Sequence, residues 1–98
     1  MFRCVIEFDE KKAFDDGILV DDLYDIVDEV MMHHQVPRVE RGKWEAPNIG
    51  DSGVTISSGV MLLRNDLFNK YCSKWECLDP EDGLIDGVRT MKLKGRWK

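Results

Sequence analysis

The chain has 98 residues, 43% of them hydrophobic and 34% charged, a composition that suits one globular domain and a length too short for two. Its net charge of −5 works against sequence-independent attraction to nucleic-acid phosphates, and no run approaches the ~20 apolar residues of a membrane-spanning helix. The charge is unevenly placed: residues 1–35 hold ten acids against three bases, whereas the last twelve residues hold five bases and no acid.

At the start, Phe2, Cys4, Ile6 and Phe8 alternate with Arg3, Val5 and Glu7, the period of a half-buried strand. The run is too short for a signal-peptide core and meets Glu7, Asp9 and Glu10 at once, so a cytoplasmic location is expected. Asp15, Asp16 and Gly17 read as a turn. The clearest helix follows. Leu19, Leu23, Ile26, Val27, Val30, Met31 and His34 recur at helical spacing, and Asp21, Asp22, Asp25, Asp28 and Glu29 take the other side. Acids near its start and His33-His34 at its end suit the helix dipole, and Pro37 ends it.

Residues 38–45 predict a weaker strand, with Val39 and Trp44 as its bulky members and Gly42 as a bulge. Residues 47–53 form a loop by composition. Residues 54–63 (Val-Thr-Ile-Ser-Ser-Gly-Val-Met-Leu-Leu) predict a long strand, although periodicity leaves open whether 59–64 already belong to the next helix. Asn65 or Asp66 is the expected N-cap of a second helix, whose stripe is Leu67, Phe68, Tyr71, Cys72, Trp75 and Leu78. Pro80 to Gly87 is turn-rich with Leu84-Ile85 as a short apolar anchor, and a last strand is expected from Val88 to Trp97.

The whole chain, residues 1–98, therefore reads as a single small α+β domain. Its order β-α-β-β-α-β resembles the ferredoxin-like split β-α-β arrangement, a four-stranded antiparallel sheet with two helices on one face. That architecture hosts many unrelated activities, so function has to come from a site.

The sequence holds no cofactor motif: neither a G-x-x-x-x-G-K-[ST] nor a G-x-G-x-x-G phosphate cradle occurs. Metal binding is not expected either. Cys72 and Cys77 are wider apart than the usual zinc pair, and on a helix they point roughly 140° apart. The odd count of three cysteines, Cys4, Cys72 and Cys77, reads as free thiols. Ser57-Ser58-Gly59 is no nucleophile elbow, so the case for an enzyme is reduced to a small one using His33 or His34.

Two surfaces remain. The acidic helix side, Asp21, Asp22, Asp25, Asp28 and Glu29, is a candidate docking face for a basic partner. A basic set, Arg38, Arg41, Lys43, Trp44, Lys92, Lys94 and Arg96, is a candidate nucleic-acid contact. RNA-binding sheets of this topology stack bases on aromatics of the central strands, but the outward positions of the first strand are Arg3, Val5 and Glu7 and residues 54–63 hold no aromatic. The face of the sheet away from the helices, with Val5, Thr90 and either register of 54–63, is expected to be partly apolar. Burying it between two copies of the chain would give a homodimer. The function expected is a non-catalytic protein-interaction or regulatory module that binds a protein partner or itself.

Overall fold

The structure, a computed structural model, describes residues 1–50 and 52–87. Over these the chain is α+β. Strand β1 (Phe2–Phe8) leads to helices α1 (Glu10–Asp15) and α2 (Val20–His33), then to strands β2 (Arg38–Glu40) and β3 (Lys43–Ala46). Helices α3 (Gly53–Leu63) and α4 (Asp66–Tyr71) follow, and strands β4 (Cys72–Asp79) and β5 (Gly83–Asp86) close the described chain. The sheet is antiparallel with order β2-β3-β1-β4-β5.

β1 forms as its alternation requires. Phe2, Cys4, Ile6 and Phe8 are buried while Arg3 and Glu7 are exposed. Cys4 lies opposite Trp44 on one side and Cys77 on the other, so one continuous apolar face runs across three strands. Against it pack Leu23, Val27 and Met31 of α2, Leu62 of α3, and Phe68 and Tyr71 of α4. The Phe68 ring stands edge-on to both Phe8 and Trp75, with centroids 5.9 and 5.2 Å apart. Rings in this geometry add to the ~1.5–3 kcal/mol that full burial of such a side chain contributes.

Several expectations are corrected. The sheet has five strands and the described chain has four helices, where four strands and two helices were expected. The acid-rich segment before the Asp15–Gly17 turn forms α1, capped by the Asp9 side chain on the Lys12 N–H. Residues 38–45 are a hairpin, and Gly42 sits in its turn at φ +81° rather than in a bulge. A Cβ there would stand 2.7 Å from the Ile6 carbonyl oxygen. Leu84 and Ile85 belong to β5 and are not a loop anchor. The strand expected from Val88 to Trp97 lies outside the described residues.

Residues 54–63, expected as a strand, are the helix α3. The run is apolar nearly all round and so lacks a helical stripe, while its β-branched residues imitate a strand. Asp79 supplies what the segment itself lacks. Its carboxylate accepts from Ser52 Oγ at 2.8 Å and Thr55 Oγ1 at 2.5 Å, both at the start of α3. The same carboxylate accepts the N–H groups of Glu81 and Asp82 in the β4–β5 turn, an Asx-turn arrangement.

The second expected helix splits. Asn65 caps α4 as expected, its Oδ1 accepting from the Phe68 N–H at 3.0 Å, but the helix ends at Tyr71 and β4 begins at Cys72. The helical spacing of Cys72 and Trp75 comes from a β-bulge. Glu7 pairs with Lys74 and Phe8 with Cys72, which leaves Ser73 as the extra residue. Both Cys72 and Trp75 then face the core although three positions separate them.

Candidate functional site

The sheet face away from the helices is not an apolar patch. Arg3 bridges Glu45 directly across the β1–β3 pair at 3.3 Å. Lys74 bridges Glu7 across the β1–β4 pair at 3.4 Å and Glu76 along its own strand at 3.8 Å. Val5 and Leu78 are half-buried between these charges, and Leu84 is exposed. Cross-strand ion pairs of this kind solvate a sheet face and discourage its pairing with another. The expected apolar surface depended on residues 54–63 lying in the sheet, and they lie in α3.

The apolar surface is on α3 instead. Ser58 and Leu62 turn inward and are buried. Ile56 and Val60, one helical turn apart, lie on the opposite side and are 66% and 42% exposed. Leu67, at the start of α4, is 41% exposed. No Asp, Glu, Lys or Arg occurs between Ser52 and Leu63, so nothing on α3 itself offsets this face. Buried Ser58 is satisfied by its own helix, its hydroxyl donating to the Val54 carbonyl at 2.6 Å.

On the acidic side of α2, Asp21, Asp22, Asp25 and Glu29 are exposed and Asp28 is half-buried. Asp28 accepts a hydrogen bond from the Trp44 indole at 3.2 Å. Asp21 pairs with Arg41 at 3.3 Å, and Arg41 also reaches Glu10 and lies over the Tyr24 ring. A groove of about 520 Å³ lined by Asp21, Asp25, Arg38, Val39, Glu40 and Arg41 results. Acids and bases alternate in it, so it carries no single-sign field.

The basic set is dispersed. Trp44 is fully buried, which removes its ring from any stacking role. Arg41 is paired as above, and Lys43 bridges Glu40 at 3.1 Å. Arg38 is exposed on β2. Lys92, Lys94 and Arg96 lie outside the described residues.

His34 has the one arrangement with the form of a nucleophile–base pair among the described residues. Its Nδ1 donates to the Val30 carbonyl at 2.9 Å, since a carbonyl only accepts. Its Nε2 lies 2.8 Å from the exposed Ser57 hydroxyl, which donates to it whenever the ring is neutral with the proton on Nδ1. A cavity of about 430 Å³ lined by His34, Gln35, Pro37, Pro47 and Ile49 among others adjoins the ring. Ser57 sits inside α3, where the neighbouring backbone N–H groups are spent in the helix. No pair of free backbone donors therefore flanks Oγ to stabilise an oxyanion. His33 is exposed and stands edge-on to His34, with centroids 5.2 Å apart.

Among the described residues, no group of three or more His, Cys, Asp or Glu side chains is placed to hold a metal ion, and no helix is long and apolar enough to cross a membrane. Cys72 is buried, with its thiol pushed up to about 12 by burial. Asp79 is held down at about 2 by the hydrogen bond from Thr55, with help from Ser52 and the Asp82 and Glu81 amides. Asp79 is a structural anchor that sequence reasoning missed. Its one sequence signal is the Asp-Pro that opens a turn, which says nothing of a helix start 27 residues upstream. Compared with family models, curated proteins and solved structures, the chain matches none.

Proposed function

We propose that this domain is a non-catalytic protein-interaction module that binds an apolar partner surface through the outer side of α3. The observation that carries the reading is an eleven-residue surface helix without a charge, which leaves Ile56 and Val60 open to water. Exposed apolar surface of this kind marks interaction sites when a partner covers it. The salt-bridged open sheet face counts against a sheet-to-sheet dimer, so self-association, where it occurs, uses α3.

The strand order β2-β3-β1-β4 supports a ferredoxin-like core extended by β5. Three free, buried cysteines support a reducing compartment, and we place the protein in the cytoplasm.

The test compares the wild-type chain with Ile56→Glu. Sedimentation over a range of concentrations measures self-association, and cross-linking in cells of origin captures other partners. The reading holds if the wild type forms a complex that Ile56→Glu loses while keeping its fold. It fails if every complex survives the substitution, or if the wild type forms none.

A second reading, a small enzyme built on His34, rests on the Ser57–His34 hydrogen bond. It ranks lower because Oγ lacks neighbouring oxyanion donors. Reaction with a fluorophosphonate separates the two: labelling of Ser57 that His34→Ala abolishes favours the enzyme, and an unlabelled Ser57 removes it. Nucleic-acid binding ranks below both, since Trp44 is buried and Arg41 and Lys43 are ion-paired. Absence of polynucleotide binding at low salt eliminates it.

A further inference from the structure

We propose that Cys4 and Cys77 are a reversible oxidation site, forming a disulfide across the centre of the sheet when the protein meets a peroxide. The two residues are directly opposed on the antiparallel strands β1 and β4, and their sulfurs are 3.5 Å apart. Opposed residues on such strands have Cα atoms ~4.5–5.5 Å apart, inside the range of ~4.4–6.8 Å that a disulfide accepts. Closing the bond requires the sulfurs to approach by ~1.5 Å, from contact to the ~2.05 Å of a disulfide. Rotation about χ1 with a small shift of the strands supplies this.

The third thiol is excluded by place. Cys72 pairs with Phe8, four positions along β1 from Cys4. At ~3.3 Å per residue that is ~13 Å, beyond reach of either partner. Its sulfur is engaged with the Lys74 carbonyl instead.

The two partners differ in access. Cys4 is fully buried, and burial followed by the neighbouring Cys77 thiol raises its pKa well above the ordinary value. Cys77 keeps 5% of its surface, on the strand next to the short edge strand β5. The chemistry therefore begins at Cys77. Its sulfur attacks one oxygen of hydrogen peroxide, the O–O bond breaks, and sulfenic acid and water result. The Cys4 sulfur then attacks the Cys77 sulfur, the S–O bond breaks, and a second water leaves with the Cys4 proton. Two thiols lose two electrons and two protons, and peroxide takes up both. Burial slows the first step, so the site responds to sustained rather than brief exposure. The bond closes a loop from residue 4 to residue 77, nearly the whole described chain, and so restrains the unfolded state far more than a local link.

The experiment treats the folded, full-length protein with hydrogen peroxide, quenches, denatures and alkylates. The expected result is a fall in alkylatable thiols from three to one, with Cys72 the one modified. Before alkylation the intact mass is lower by two hydrogens, a peptide pair joins Cys4 to Cys77, and the melting temperature rises and returns with dithiothreitol. Cys72→Ser gives the same cross-link, and Cys4→Ala leaves a sulfenic acid at Cys77 that a dimedone probe captures. Three alkylatable thiols after treatment overturn the proposal. So does a cross-link through Cys72, or oxygen gained at Cys77 of the wild-type chain without a link.

Discussion

Helices α2 and α3 lie side by side on the same sheet face and are built in opposite ways. α2 carries its own instructions: an apolar stripe buried through Leu23, Val27 and Met31, Asp21 and Asp22 in its first turn, and His33 in its last. It also ends locally, with Gln35 in the left-handed region at φ 61° and the Val36 N–H returning to the Met31 carbonyl. α3 has no acid in its first turn and no base in its last. Its start is held from outside by Asp79 and by Glu81, whose carboxylate accepts the Ser52 N–H at 2.9 Å. A helix with its own polarity announces itself and spends its apolar residues on the core. A helix held by distant groups can keep apolar residues outside, and those are free to bind.

The largest effect that tests this contrast is in the core. Leu23→Ala is expected to cost about 2–5 kcal/mol of unfolding free energy in a denaturant titration, because the side chain is fully buried. Ile56→Ala should stay within about 0.5 kcal/mol, since most of that residue is in water. A loss of several kcal/mol at Ile56 would mean that α3 has no free face.

The external anchor is tested by acid. Asp79 has a folded pKa of about 2 against an ordinary 3.8. Its contribution is therefore fully present above about pH 4 and fades as pH falls toward 2, where the carboxylate protonates in both states. Asp79→Asn should be less stable than the wild type at neutral pH and should flatten the pH dependence between 4 and 2. Amide exchange should speed up first in α3, while α2 stays protected.

Smaller effects belong to the signals of α2 itself. Asp22→Asn removes one acid from its first turn and should cost about 0.3–1 kcal/mol at low salt, and less at high salt. Gln35→Gly relieves a side chain held at positive φ and should raise stability by up to about 1 kcal/mol in thermal unfolding. A stabilising effect of Asp22→Asn would show that the acidic side is kept for binding at the expense of the helix.

The elements legible in the sequence are those whose signals are local. β1 and α2 show clean periods of two and 3.6, and Asn65 caps α4 by a bond three residues away. β4 has the spacing of a helix in the sequence because a bulge at Ser73 places Cys72 and Trp75 on the same face three positions apart. β5 is hidden in a turn-rich stretch because four residues, Gly83–Asp86, are too few to display a period. Of the candidate surfaces, the acidic side of α2 was visible in the sequence and is exposed, with Asp28 drawn inward by Trp44. The exposed side of α3 and the Ser57–His34 contact were not visible, since both depend on 54–63 being helical.

By itself the sequence determined the first strand and the acidic helix, because each shows its period within about fifteen residues, and the α+β class and the free thiols, because element order and cysteine count need no contact to be read. Tertiary structure decided the rest. An apolar run satisfies a strand or a helix equally until something outside it holds its end, and here Glu81 takes the Ser52 N–H while Asp79 takes the Ser52 and Thr55 hydroxyls. The opposition of Cys4 and Cys77, 73 residues apart in the chain, likewise exists only once β1 and β4 pair in register.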